Sequence, residues 1–192
     1  MADDRMEKLK QRRMAQAQER ERARLRDKNG AAIVNAVAEI LGPECSQGVA
    51  VYDMDSCPKA SVAERIEQSP GLVAPYVGYA RARQILSCCQ AVLGGQISAT
   101  LWLDEKNYMG PFACRRLVLP QLADLAMKLE DRVVVAPLAA SGILIVDYYA
   151  QTWTAKQTDF SVIVQGPDIE STFEKCFALQ SPLHTRLVGR RD

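Results

Sequence analysis

Asp53 and Asp55 are the residues whose type and spacing come nearest to chemistry. They sit in Val49-Ala50-Val51-Tyr52-Asp53-Met54-Asp55, a short apolar run that ends in two carboxylates. Ser56 and Pro58 follow and suit the start of a helix. Two carboxylates at such a strand-to-helix turn can hold Mg²⁺, or one can attack a phosphoryl group. The competing reading is that both cap the next helix at its positive end. Other reactive constellations are incomplete. The single histidine, His184, lies near Arg186, Arg190 and Arg191 in the last stretch of chain, where it reads as solvated. With one histidine and no CxxC pair, a His/Cys metal site is not expected. Gly94-Gly95-Gln96 and Ser141-Gly142 read as turns, because neither GxGxxG nor GxxxxGK[ST] is present. Trp102, Tyr148, Tyr149 and Trp153 fall close together and could stack bases, although packing is the expected role.

The elements that must position these residues are strands and helices of one domain. Val133-Val134-Val135, Ile143-Leu144-Ile145-Val146 and Phe160-Ser161-Val162-Ile163-Val164 are short β-branched runs, as in strands buried on both faces. Residues 97–103 alternate, with Ile97, Ala99, Leu101 and Leu103 on one side. Helical spacing is clear in Ile33, Val37, Ile40 and Leu41, before Gly42-Pro43. A further helix is expected over about 75–93, with Ile85, Cys88, Cys89 and Val92 on its apolar face. Leu122, Leu125, Ala126 and Leu129 mark a helix that starts near Pro120, and Ile169, Phe173, Cys176 and Phe177 mark the last one. The sequence therefore predicts an α/β fold: a mixed sheet of about five strands covered by helices, preceded by a charged N-terminal helix. The expected divisions are a helical arm at 1–29, an α/β domain at 30–179 and a basic tail at 180–192.

Charge separates the arm from the rest. Residues 1–28 hold ten Lys/Arg against six acids, net +4, whereas the other 164 residues hold 14 against 17, net −3. The arm has no Gly or Pro before Asn29-Gly30, which reads as a break. Asp4/Lys8, Glu7/Lys10, Glu19/Arg22 and Glu21/Arg24 stand at ion-pairing distances along a helix. Met6, Leu9, Met14 and Leu25 make no sustained heptad. A helix polar all round is braced by its ion pairs or lies against something else.

Six cysteines without a secretory signal suggest free thiols and a reducing, cytoplasmic setting. No run of about 18 apolar residues is long enough for a membrane span.

The segment 49–55 resembles the first motif of haloacid dehalogenase-type phosphotransferases. That resemblance implies Asp53 as nucleophile and Asp55 as general acid/base, with Mg²⁺ as cofactor. Ser56-Cys57-Pro58 stands where that family has a small Gly-Thr pair. The order of elements is loosely similar to phospholipase D and Nuc-type nucleases, with 98–106 resembling their second strand. Ala140-Ser141-Gly142 occupies the place of the His-x-Lys that precedes the catalytic Asp, so that chemistry is not implied. The charged helix before a small α/β domain is similar to stalk-type proteins that dock on ATPases of secretion and flagellar systems.

The functional expectation is a non-catalytic binding or assembly protein with no cofactor. Its N-terminal helix, through Arg12, Arg13, Arg20, Arg22, Arg24 and Arg26, docks the body onto a protein partner or larger assembly. The alternatives are Mg²⁺-dependent phosphoryl transfer by Asp53 and Asp55, and nucleic-acid binding by the arm and basic tail. The acids interleaved in the arm sequence count against the last, because phosphate recognition rewards uninterrupted cation density.

Overall fold

A computed structural model of the chain describes residues 2–47, 71–137, 142–149 and 159–178. The expected strand at 49–52, the helix after it, and the tail 180–192 lie outside these residues, as do Asp53, Asp55, Cys57, Trp153 and His184.

The described strands form one sheet. They are β1 (Cys45–Gln47), β2 (Leu72–Gly78), β3 (Ile97–Leu103), β4 (Phe112–Leu117), β5 (Val133–Pro137), β6 (Ile143–Tyr149) and β7 (Asp159–Gln165). Their order across the sheet is β1-β4-β3-β5-β6-β7-β2, and every neighbouring pair is antiparallel. Among the described residues, the expectation of about five strands in a mixed sheet is thus corrected to seven antiparallel strands. β1, β2 and β4 escaped the sequence reading. β2 contains Pro75, which is tolerated because the strand lies at the edge and its register shifts between Ala74 and Val77. β4 carries two exposed arginines, Arg115 and Arg116, in succession and so lacks a clean alternation.

Among the described residues four α-helices accompany the sheet: α1 (Ala2–Leu41), α2 (Tyr79–Val92), α3 (Gln121–Leu129) and α4 (Pro167–Ala178), with a 3₁₀ turn at Asn107–Met109. The helix side chains that enter the core cluster pack on one face of the sheet. Leu101, Phe112, Val133, Val135, Leu144, Val146, Phe160 and Val162 meet Val37, Leu86, Leu122, Leu125 and Phe173 in one continuous core. Val134, Ile143, Ile145 and Ile163 form a separate cluster with Val73, Trp102 and Ala136 on the other face, and no helix residue belongs to it. Helices segregated to one face of an antiparallel sheet define an α+β layering. The expectation of a sheet covered by helices therefore holds on one face only, among the described residues.

The expected apolar stripes of α3 and α4 are in place. Leu122, Leu125 and Ala126 are buried, as are Ile169, Phe173, Cys176 and Phe177. Gly142, just before β6, has a positive φ, and a Cβ there would lie 2.3 Å from Ile169 Cγ2, so only glycine lets α4 pack so close.

Four cysteines are paired. Cys45–Cys114 links β1 to β4 at directly opposed positions, and Cys88–Cys176 ties α2 to α4. Sequence spacing gave no sign of either pair, so the expectation of free thiols is corrected at these four positions. Cys89 is free and buried, and burial pushes its thiol up to about 12.

Candidate functional site

The arm and the body share one helix. α1 runs without interruption from Ala2 to Leu41, so Asn29-Gly30 is not a break. Gly30 is buried in the helix interior beside Met109, where the thioether leaves room for a small residue. Below it, Ile33, Ala36, Val37 and Leu41 enter the core. The 3₁₀ turn clasps the helix at the same level. Arg26 Nε donates to the main-chain oxygen of Tyr108 at 3.0 Å, and Asn29 Nδ2 to the Tyr108 hydroxyl at 3.4 Å. Gln47, from β1, donates to the main-chain oxygen of Met109 on the same turn. Above Leu25, every residue from Met6 to Arg24 is exposed, a length of about 28 Å at 1.5 Å per residue.

Continuity of the helix sorts the six arginines by face. At about 100° per residue, Arg12, Arg22 and Arg26 lie along the side that continues downward into Gly30, Ile33 and Val37. Arg13, Arg20 and Arg24 lie on the side turned away from the body, in line with Lys10 and Lys28. Arg26 is engaged by the body. Arg24 forms a bidentate pair with Glu21 at 2.8 and 2.6 Å. Its hydrogen bond holds the Glu21 carboxyl below its ordinary pKa. The Glu21–Arg24 pair is thus one of the ion pairs that the sequence suggests.

A second polar cluster lies on the helix-free face. Arg132 donates from Nη1 to Asp104 at 2.9 Å and from Nη2 to Asp147 at 2.7 Å, joining β6 to the ends of β3 and β5. Burial works against the guanidinium charge, but the hydrogen bond it donates to Asp147 and the fields of Asp147 and Asp104 outweigh it and raise its pKa. Beside this pair, Tyr149 and Tyr76 bring their rings to 5.6 Å. Burial, then the Asp147 charge, raises the Tyr149 pKa. Tyr76 sits at the β2 irregularity with φ 51°, 71% exposed, and its N–H reaches Ser161 Oγ at 3.4 Å. A left-handed, non-glycine residue in a strand is strained. Asp147, inside β6 rather than at its end, is held by Arg132 and is not a free acid.

Two further clusters read as braces. The buried Asp131 carboxylate accepts the N–H groups of Glu105, Lys106 and Arg132, while Lys106 Nζ reaches Asp131 and the Leu129 oxygen. Every lone pair there has a use in holding the turn. Tyr79 donates to Asp124, and Arg83 donates to both, joining α2 to α3.

The aromatic cluster expected around the strands is divided by the sheet. Tyr148 packs on Phe160 in the helix-covered core, whereas Trp102 lies in the opposite cluster. These side chains do not form one stacking platform. Among the described residues no group of three or more His, Cys, Asp or Glu is placed to hold a metal ion, and no helix is long and apolar enough to cross a membrane.

Comparison of the chain with family models, with curated proteins and with solved structures finds no match in any of the three.

Proposed function

We propose that this chain is a non-catalytic assembly protein whose N-terminal helix docks the α+β body onto a larger anionic partner. One observation carries the reading: the same helix is anchored in the core from Ile33 onward and exposed on every side from Met6 to Arg24. An isolated polar helix gains little from propensity alone and is marginal in water. Here the core holds one end of it, so the other end is presented already ordered. Preordering a binding element lowers the entropy lost when it docks. The excess of cations over acids in residues 1–28 sets the sign of the partner.

The test compares the full chain with a variant lacking residues 2–24. Each is titrated against two polyanions, a mixed-sequence DNA duplex and poly-glutamate, at low salt, by fluorescence anisotropy. The full chain is expected to bind at least one of them and the shortened chain to bind neither with comparable affinity. Equal binding by the two chains would place docking elsewhere and overturn the reading.

A further inference from the structure

We infer that the outward line Lys10, Arg13, Arg20, Arg24 and Lys28 is a phosphate-backbone contact surface for double-stranded nucleic acid. This rests on the docking reading above and names the partner.

The inference comes from the phase of the helix. In sequence the acids of the arm are interleaved with its bases. On a continuous helix they separate. Positions 10, 13, 17, 20, 24 and 28 recur at intervals of three and four and share one side, over about 27 Å. Ala17 is the only uncharged member of the line, and no acid belongs to it. Glu21 and Asp27 flank it, about 60° to either side, and Glu7 and Glu19 lie farther round. Arg24 shares its charge with Glu21, which leaves four cations with no ion pair among the described residues.

The line also has the wrong chemistry for a protein partner. Stable protein interfaces have an apolar or aromatic core from which charged residues are depleted. This face has one alanine among its cations and no aromatic side chain. Nucleic-acid backbones need no apolar core, because counterion release supplies the affinity. Arginine provides a planar fork that matches phosphate oxygens. The absence of aromatic residues from 1–28 removes base stacking, the main device for holding single strands, and so favours a duplex. The surface faces away from the body, so a rigid duplex can lie along it without meeting the sheet.

The experiment measures duplex affinity of the full chain as a function of salt. Four phosphate contacts give a slope of log K against log salt of about −3.6, or roughly 150-fold weaker binding at 200 than at 50 mM. Two double variants of equal charge then separate the faces. Arg13→Gln/Arg20→Gln is expected to flatten the slope by about 1.8. Arg12→Gln/Arg22→Gln, on the body-facing side, is expected to flatten it by less than half as much. Glutamine keeps helix propensity, and circular dichroism checks that the helix is unchanged. Equal flattening by both variants would show diffuse attraction and overturn the proposed line. A slope shallower than about −1 would do the same. Binding of poly-glutamate without duplex would overturn the nucleic-acid assignment and leave the docking helix standing. Binding of neither would overturn both.

Discussion

Arg26 Nε lies 3.0 Å from the main-chain oxygen of Tyr108, and this bond marks where the long helix leaves the body. Everything N-terminal to it that the structure describes is exposed or nearly so. Removing residues 2–24 should therefore leave the melting temperature within a few degrees of the full chain. Removing residues 1–28 also deletes the Arg26 bond and frays the helix beneath, at an expected cost of about 1 kcal/mol. Chemical denaturation of the two truncations checks the difference. Loss of cooperative unfolding in the shorter truncation would make the arm part of the core.

Gly30 tests the continuity of that helix. A Cβ added there meets Met109 and Arg26 side-chain atoms at 3.6 Å, which is ordinary contact. Gly30→Ala should raise stability by roughly 0.5–1 kcal/mol, as glycine is replaced in a helix interior. A destabilised variant would indicate a break at this position instead.

Arg132 tests the polar brace on the helix-free face. Its replacement by Met leaves Asp147, 6% exposed, without its cation. The expected cost is about 3 kcal/mol, at the low end for an orphaned buried charge because Arg132 itself is partly exposed. Adding Asp147→Asn should recover at least about 1 kcal/mol of it. Strictly additive costs in that cycle would show that the two residues do not depend on each other.

Much of the sheet was legible because its central strands are buried on both faces. Unbroken β-branched runs at 133–135, 143–146 and 160–164 cannot satisfy a helical period, and each became a strand. Ile145 is fully buried in the smaller cluster, so Ile145→Ala should cost about 2–5 kcal/mol. The outer strands were illegible because they depart from a clean pattern: Pro75 sits in the edge strand β2, and β4, next to the three-residue edge strand β1, carries Arg115-Arg116. Gly30 misled because glycine usually ends helices, while here it is a small residue under a thioether. The six arginines of the arm could be named from sequence, but not divided into two faces. That needed one uninterrupted helical phase across Gly30. The cysteine pairs depend on which strands and helices become neighbours, which spacing does not encode.

Cys89 gives a pH dependence. Its folded-state pKa is raised to about 12 by burial, against an ordinary thiol value of 9.0. The folded state then holds its proton more tightly than the unfolded state. Stability is undiminished below the unfolded pKa and declines as pH rises from there toward the folded pKa. By pH 10.5 the loss from this group is about 2 kcal/mol. Cys89→Ala should show a shallower decline over the same range in urea unfolding, and parallel curves would contradict the assignment.

The most direct test of the docking account is amide hydrogen exchange of the full chain, free and saturated with the DNA duplex. In the free chain, amides between Met6 and Arg24 should exchange far faster than those from Ile33 to Leu41, since only the latter stretch is packed in the core. Duplex should slow exchange between Met6 and Lys28 and leave β5, β6 and β7 unchanged. Protection that appeared in the sheet while the arm kept its free rate would contradict the account.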